Sequence, residues 1–122
     1  NAAISACRKG GQWEKALELL NSMKDYGMKP GVDTFNTAIS ACGKGGQWEK
    51  ALELLNSMKD YGVKPGVDTF NAAISACRKG GQWEKAIELL NSMEDRGLQP
   101  NLITFSATIS ACGKGRAVGE SA

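Results

Sequence analysis

Four cysteines are the residues of this chain whose type and spacing could do chemistry. Cys7, Cys42, Cys77 and Cys112 recur at intervals of 35 residues. Thiolates bind zinc and form disulfides, so a metal or redox site is one interpretation. Groups spaced in this way are about 10 Å apart even on helices in direct contact, which exceeds the reach of a disulfide. The chain also has no histidine and no Cys-x-x-Cys pair. We therefore interpret the cysteines as small core thiols, and we expect no metal and no cofactor.

Catalytic chemistry has little support elsewhere in the sequence. Without histidine, a nucleophilic Ser or Cys lacks its commonest base. Glutamates such as Glu49 and Glu53 have the spacing of a solvated helix face. The glycine pair Gly45-Gly46 follows no strand and does not match a phosphate-binding loop, so we interpret it as a turn between helices. We predict that the chain is not an enzyme, and that any catalysis would need a domain outside it.

Three tryptophans and a set of cations are candidates for ligand contacts. Trp13, Trp48 and Trp83 occupy one position of an apolar stripe, where core packing is the main interpretation and base stacking the alternative. The segments 1–11, 34–46, 69–81 and 104–116 hold seven cations and no acid, although the chain has a net charge of only +2. These cations are Arg8, Lys9, Lys44, Arg78, Lys79, Lys114 and Arg116. They indicate either a surface that attracts a polyanion or charges that complement helix C-termini.

The elements that must position these residues repeat with a period of 35 residues. The segment from Asn1 returns from Asn36 with 27 of 30 positions identical, a third copy begins at Asn71, and a fourth begins at Ser106. Such a period indicates stacked units that cannot bury their apolar faces alone. We predict one array and expect it to be a segment of a longer one. Its repeats lie at about 1–31, 32–66 and 67–101, with a partial repeat at 102–115 and a tail at 116–122.

Each repeat is predicted to form two helices. Phe35, Ala38, Ile39 and Cys42 fall on one helical face, and Asp33 or Thr34 is the predicted N-cap. The second helix carries a stripe that includes Trp48, Ala51, Leu52, Leu55 and Met58, and we expect it to stop at Gly62. No segment alternates with a period of two, so we predict no sheet. The predicted fold class is an all-α solenoid of stacked antiparallel helical hairpins. No apolar run reaches the roughly 20 residues that span a bilayer.

The combination of these motifs resembles the pentatricopeptide repeat family. The resemblance rests on the period, the helix opening T-F-N-x-x-I-S, the turn K-G-G, the run W-E-K-A-L-E-L-L-x-x-M and the closing G-x-K-P. It covers the chain except for about seven C-terminal residues. It implies a right-handed superhelix that binds single-stranded RNA, with about one base read per repeat. It also implies a mitochondrial or chloroplast location and a role in RNA processing, stability or translation.

The resemblance assigns roles to particular positions. The residues that would contact base edges are Asn1, Asn36, Asn71 and Ser106 in the first helices, and Gly31, Gly66 and Asn101 after the closing Pro position. Ile103 matches an aliphatic residue that sandwiches bases. The lysines that would reach phosphates are Lys9, Lys44, Lys79 and Lys114. An Asn amide can meet a pyrimidine edge, and a Ser hydroxyl is associated with purines in the family. Asn71 with Asn101 resembles a cytosine-preferring pair. The expected order is therefore pyrimidine, pyrimidine, cytosine, purine, with the RNA 5′ end toward the N-terminus.

Two features of the sequence depart from the family pattern. Gly31 and Gly66 have no side chain with which to read a base, and Asp33 and Asp68 stand where the sandwiching aliphatic residue belongs. A carboxylate there repels the RNA backbone. These departures motivate an alternative hypothesis, in which the chain is a helical scaffold that binds protein or structured RNA, such as ribosomal RNA, in a larger assembly.

Overall fold

A computed structural model describes residues 13–119, with the side chains of residues 13–113. This part of the chain consists of α-helices and contains no strand. The six helices are α1 (Trp13–Asp25), α2 (Val32–Lys44), α3 (Trp48–Ser57), α4 (Val67–Lys79), α5 (Trp83–Asp95) and α6 (Leu102–Gly119), and a 3-10 turn (Met58–Tyr61) follows α3. We call α2, α4 and α6 the first helices of their repeats, and α1, α3 and α5 the second helices.

The apolar stripes form the core, as the periodicity predicts. Phe35, Ala38, Ile39 and Cys42 on α2 are fully buried. Ala51, Leu55 and Met58 face them from α3 and the turn that follows, while Leu52 is half-buried and packs at the edge. On α4 and α5, burial repeats at the equivalent Phe70, Ile74, Ala86 and Met93, and Leu89 is buried beside them. The prediction of antiparallel hairpins without a sheet is therefore confirmed for the described residues.

The turns between first and second helices depend on the second glycine of each pair. Gly46 has φ 77° and Gly81 has φ 71°, a conformation that residues with a Cβ rarely adopt. The fourth copy has Arg116 at this position, and α6 continues to Gly119 instead of ending near Gly115. The helix α6 therefore continues past residue 115, because Arg116 does not favour the left-handed conformation that Gly46 and Gly81 adopt.

The prediction of the N-caps is wrong. Gly31, and not Asp33 or Thr34, is the N-cap of α2, and Gly66 is the N-cap of α4. Asp33 lies within the first turn, where a carboxylate is favourable beside the helix N-terminus. The third residue of α4 is Thr69, whose Oγ1 accepts a hydrogen bond of 3.1 Å from the Gly66 N–H. This bond runs from the N–H of the N-cap residue to a side chain inside the helix, whereas a capping side chain accepts from an N–H inside the helix.

The helices form two unequal layers. The first helices pack in series, α2 on α4 and α4 on α6, and each second helix also packs on the first helix of the next repeat. Among the described elements, no two second helices pack to a comparable extent. A cleft of about 270 Å³, lined in part by Leu17 and Lys50, separates α1 from α3. Because the first-helix layer is the tighter one, the stack curves with the first helices on its inner side.

The tryptophans and cysteines mainly serve packing. Trp13 and Trp48 are half-buried against the core, and the indole ring of Trp48 lies over Gly80 of the next repeat. Trp83 is 39% exposed. Cys42 and Cys77 are free thiols buried in the core, which confirms their predicted role. Cys112, also a free thiol, is half-exposed, and Cys7 lies outside the described residues. None of the helices in the described part of the chain is long and apolar enough to cross a membrane.

Candidate functional site

An open groove of about 520 Å³ runs across the three first helices. Its lining comes mainly from α2 and α4, and α6 contributes one residue. Its lining consists of Ser40, Gly43, Lys44, Asp68, Asn71, Ala72, Ser75, Arg78, Lys79 and Ile103. The groove therefore lies on the inner layer of the stack and spans two junctions between repeats.

The groove brings together four residues that the sequence predicts to bind a ligand. Lys44 and Lys79 end α2 and α4 and are exposed at one side of the groove. Asn71 is only 8% exposed and lines the groove from α4, while Ile103 is 62% exposed and lines it from α6. These four residues supply the groove with two cations, one amide and one apolar side chain.

The other predicted positions lie around the groove or beyond the described residues. Asn36 is half-buried, and the exposed residues Asn101 and Ser106 lie near the start of α6, outside the groove lining. Gly31 and Gly66 are helix N-caps. Two predicted residues, Asn1 and Lys9, and the side chain of Lys114 lie outside the described part of the chain.

The cations of the groove carry charge that the protein does not neutralise. Within residues 13–113, the ion pairs lie on the second helices, as Lys15–Glu18 at 3.5 Å, Lys50–Glu53 at 3.8 Å and Lys85–Glu88 at 3.9 Å. In this same part of the chain, Lys44, Arg78 and Lys79 have no ion-pair partner, although Asp68 lines the same groove. The surface potential of the groove is therefore positive, with one carboxylate at its edge.

Two asparagines of the first helices bond to threonines of the next repeat. Thr69 Oγ1 donates to Asn36 Oδ1, and Thr104 Oγ1 donates to Asn71 Oδ1. Each pair joins equivalent residues of successive copies. The amide oxygens are thus engaged inside the protein, while the amide nitrogens are the remaining polar groups of these side chains.

A third amide joins the network at the junction between α4 and α6. Asn101 is the residue before α6, and its Oδ1 accepts from the Thr104 N–H at 3.0 Å, as an N-cap does. In return, Thr104 Oγ1 accepts from the Asn101 N–H at 3.1 Å. Asn71 Nδ2 donates to Asn101 Oδ1 at 3.3 Å. The two asparagines that the resemblance pairs for cytosine are therefore in direct contact.

Several residues of the site are missing from the sequence-based prediction. Ser40 and Ser75 line the groove and belong to the repeated I-S motif. The structure adds Arg78, which the sequence singles out only as part of a charged set. Thr69 and Thr104 are the most informative omissions, because a Thr stands two residues before the Asn or Ser of the second, third and fourth copies and could have been recognised from that repetition.

The chemistry of the groove favours binding. Lysine and arginine attract phosphate, an amide and hydroxyls offer hydrogen bonds, and an exposed isoleucine offers an apolar contact. The buried thiols are unsuited to nucleophilic attack, because burial raises the pKa of Cys42 and of Cys77 from 9.0 to about 11. The arrangement therefore suits a polyanion whose units carry planar, polar groups.

Comparison with known proteins identifies a family for this repeat. The sequence matches the PPR repeat family three times, over residues 1–44, 30–79 and 65–114. No similar protein was found among curated proteins.

Solved structures share the fold. The chain is similar to the pentatricopeptide repeat protein PPR10 in complex with an 18-nt psaJ RNA element, with a TM-score of 0.77 and 28% identity over 88% of the chain. The chain is also similar to a structure of PPR10 from maize, at 31% identity and a TM-score of 0.70 over 96% of the chain. In both cases it spans 16% of the other chain. The chain also resembles the PPR domain of Arabidopsis thaliana protein-only RNase P 1 in complex with tRNA, with a TM-score of 0.76 at 18% identity. The match covers 98% of this chain and 67% of the other chain, and it shows a common fold.

Proposed function

The chain belongs to the pentatricopeptide repeat family, and from this premise we propose that it binds single-stranded RNA along the groove of its first helices. The observation that carries the proposal is the group of unpaired cations Lys44, Arg78 and Lys79 beside the Asn71 amide and Ile103. The similarity to PPR10, whose structure was solved with an RNA element, supports the same ligand class.

The groove offers contacts for both the phosphates and the bases of a single RNA strand. Phosphates are attracted by the cations at the C-terminal ends of α2 and α4, and this attraction weakens as salt rises. A base that is not paired can place one face on Ile103 and its edge on amides of the first helices. We propose binding and not catalysis as the role of this segment.

We also propose that the array reads about one base per repeat. Asn36 and Asn71 lie one repeat apart on α2 and α4, and Ser106 occupies the same place on α6. Asn101 adds a second amide beside Asn71, which supports the expected cytosine preference there. Gly66, at the corresponding place one repeat earlier, adds none. The expected order remains pyrimidine, pyrimidine, cytosine, purine, with Asn1 reading the first.

Paired charge-removal variants test RNA binding. The double variant Lys44→Ala/Lys79→Ala removes cations from the groove, whereas Lys50→Ala/Lys85→Ala removes the same charge from the second helices. Binding of a labelled single-stranded RNA pool is measured by fluorescence anisotropy from 50 to 200 mM salt. We expect the groove variant to lower the slope of log Kd against log salt by about 0.7 for each lost phosphate contact, and the control to keep the wild-type slope. Equal slopes for both variants would refute the site.

The carboxylate of Asp68 in the groove favours a second candidate function. It stands where the family pattern has an aliphatic residue, and Gly66 supplies no side chain at a position that is expected to contact a base. These features suit a scaffold that packs against protein or structured RNA in a larger assembly. This candidate predicts binding that is insensitive to both salt and the sequence of single-stranded RNA, so the same titration separates the two.

The mitochondrial or chloroplast location remains a prediction carried by family membership. It would support a role in organellar RNA processing, stability or translation. Imaging of the full-length gene product, fused at its C-terminus to a fluorescent protein, tests it. A fusion confined to the cytosol would contradict the prediction.

A further inference from the structure

The orientation of the asparagine amides is fixed by the protein before any ligand arrives. A primary amide carries an acceptor oxygen and a donor nitrogen, so an Asn that is free to rotate can offer either group to a base. At two successive junctions, the oxygen is held by a threonine hydroxyl of the following repeat. Which group a base meets is therefore decided by a residue of the neighbouring repeat.

The junction between α4 and α6 shows that the oxygen faces the threonine. Asn101 Oδ1 accepts the Thr104 N–H, which a nitrogen at that place could not do. The atom of Asn71 that lies 3.3 Å from Asn101 Oδ1 must then be its nitrogen, because two oxygens would repel each other there. With the nitrogen on that side, the oxygen of Asn71 faces the Thr104 hydroxyl.

The Thr104 hydroxyl has two acceptors within reach, and Asn71 Oδ1 is the less occupied of the two. Thr104 Oγ1 lies near both Asn71 Oδ1 and Asn101 Oδ1, the latter at 2.9 Å. Asn101 Oδ1 already accepts the Thr104 N–H and Asn71 Nδ2, so the proton goes to Asn71 Oδ1. The junction between α2 and α4 has the same arrangement, with Thr69 Oγ1 accepting the Gly66 N–H and donating to Asn36 Oδ1.

We infer that Thr69 and Thr104 determine the base preference of the preceding repeat, by holding the amide of Asn36 or Asn71 so that it presents only N–H donors. This inference rests on the proposed function, since it requires that these amides meet bases. It makes the unit of recognition a pair of adjacent repeats, in which Asn36 reads a base and Thr69 decides what Asn36 can read.

The inference specifies which bases fit. Each pyrimidine has two acceptors on its Watson–Crick edge, O2 and N3 in cytosine and O2 and O4 in uracil, whereas adenine has only N1 and guanine only O6 there. N–H donors therefore find more partners on a pyrimidine than on a purine. At the α4–α6 junction, Asn101 Oδ1 is also occupied, so both amides offer nitrogen. A pair of donors suits cytosine better than uracil, whose N3–H would face another donor. At the α2–α4 junction, Gly66 contributes no side chain, and both pyrimidines fit.

The test removes one hydroxyl at a time. Thr69→Val is nearly isosteric and lacks the donor, while Thr69→Ser keeps it. Thr37→Val is the matched control, because the Thr37 hydroxyl donates only to the Asp33 carbonyl of its own helix. Each variant of the 122-residue chain is titrated with single-stranded RNAs in which one nucleotide at a time of a selected sequence is C, U, A or G. Thr104→Val provides an independent test at Asn71, should Thr69→Val fail to fold by circular dichroism.

The expected result is a loss of discrimination at one nucleotide. Thr69→Val should reduce the pyrimidine preference at the nucleotide facing Asn36 by about fivefold, the factor that one hydrogen bond contributes, and leave the other nucleotides unchanged. Thr69→Ser and Thr37→Val should keep the wild-type preferences. A pyrimidine preference that survives Thr69→Val would overturn the role of the hydroxyl and would leave the proposed RNA binding intact. A wild-type chain that shows no base preference would overturn base reading itself, and this inference with it.

Discussion

At the residue scale, equivalent side chains of successive copies have different surroundings. Trp48 and Trp83 occupy the same repeat position, yet Trp48 is half-buried with its ring over Gly80, whereas Trp83 is 39% exposed. The sequence predicts both as core residues because it reports their spacing and not their neighbours. The fully buried Cys42 and Cys77 were predictable, because a small apolar residue at that spacing has no other favourable place.

The two tryptophans should differ in their contribution to stability. We expect Trp48→Ala to reduce the free energy of unfolding by about 3 kcal/mol, because it removes an indole from the seam between two repeats. Trp83→Ala should cost roughly 1 kcal/mol less, because more of that ring is already in water. Urea unfolding followed by circular dichroism measures both. Equal losses would mean that both rings are equally packed.

The buried thiols should make stability fall at high pH. Burial raises the pKa of Cys42 and Cys77 from 9.0 to about 11, so the folded state holds these protons more tightly than the unfolded state. The contribution of these thiols to the free energy of unfolding is complete below pH 9 and is lost as the pH rises through about 11. The loss amounts to roughly 2 to 3 kcal/mol for each thiol. Unfolding by urea at intervals from pH 8 to 11 measures this loss.

A variant without these thiols separates their titration from that of lysine and tyrosine. Cys42→Ala/Cys77→Ala keeps every other titrating group, so its stability should decline less steeply over the same pH range. Parallel declines for the two proteins would contradict the assignment to the thiols.

At the scale of elements, the repeat predicts the order and the period of the helices and does not predict how closely they pack. The first helices start at Val32, Val67 and Leu102, at intervals of 35 residues but earlier than a cap at Asp33 or Thr34 allows. The bond between Gly66 and Thr69 was open to prediction, because Thr34, Thr69 and Thr104 recur with the period. The end of α6 departs from the period because Arg116 stands at the position of Gly46 and Gly81. The spacing between helices could not be predicted, because it depends on contacts with the adjacent copy that the period does not describe.

Gly43 and Gly113 share a repeat position and should respond oppositely to alanine. A Cβ at Gly43 would lie 3.1 Å from Ala76 Cβ and 3.2 Å from its Cα, so α2 and α4 would have to separate. A Cβ at Gly113 would meet nothing within 4 Å. We expect Gly43→Ala to destabilise by about 1 kcal/mol and Gly113→Ala to stabilise by up to about 1 kcal/mol, since alanine favours the helix. Thermal unfolding measures both, and stabilisation by Gly43→Ala would contradict the close contact.

At the scale of the whole molecule, charge is divided between the two layers. The described ion pairs belong to the second helices, whereas Lys44, Arg78 and Lys79 face the groove of the first helices. The sequence already indicates this division, because the first-helix segments hold cations and no acid. The resemblance places Asp68 at the base-sandwiching position, and the structure has it in the lining of the same groove. That placement depends on the stacking of α2 against α4.

Removal of the groove carboxylate should strengthen RNA binding. Asp68→Asn keeps the size of the side chain and removes a charge that repels phosphate, so we expect Kd to fall by up to about fivefold at low salt. Asp60→Asn removes the same charge from the turn after α3, outside the groove, and should leave Kd unchanged. Anisotropy titrations of both variants with one RNA measure the two Kd values. An equal fall in Kd for both variants would mean that net charge, and not the position of the carboxylate, controls RNA binding.

The unequal layers give the molecule a directional stiffness. The first helices form a continuous line of contacts in which Gly43 touches Ala76, whereas a cleft of about 270 Å³ separates the second helices α1 and α3. Bending that widens or narrows this cleft disturbs little packing, while bending that parts α2 from α4 breaks the tightest seam. The layer of first helices is therefore the stiffer one, and the layer of second helices is the more deformable one. The curvature of the array can adjust to the length of a strand while the spacing of the amides along the first helices stays constant.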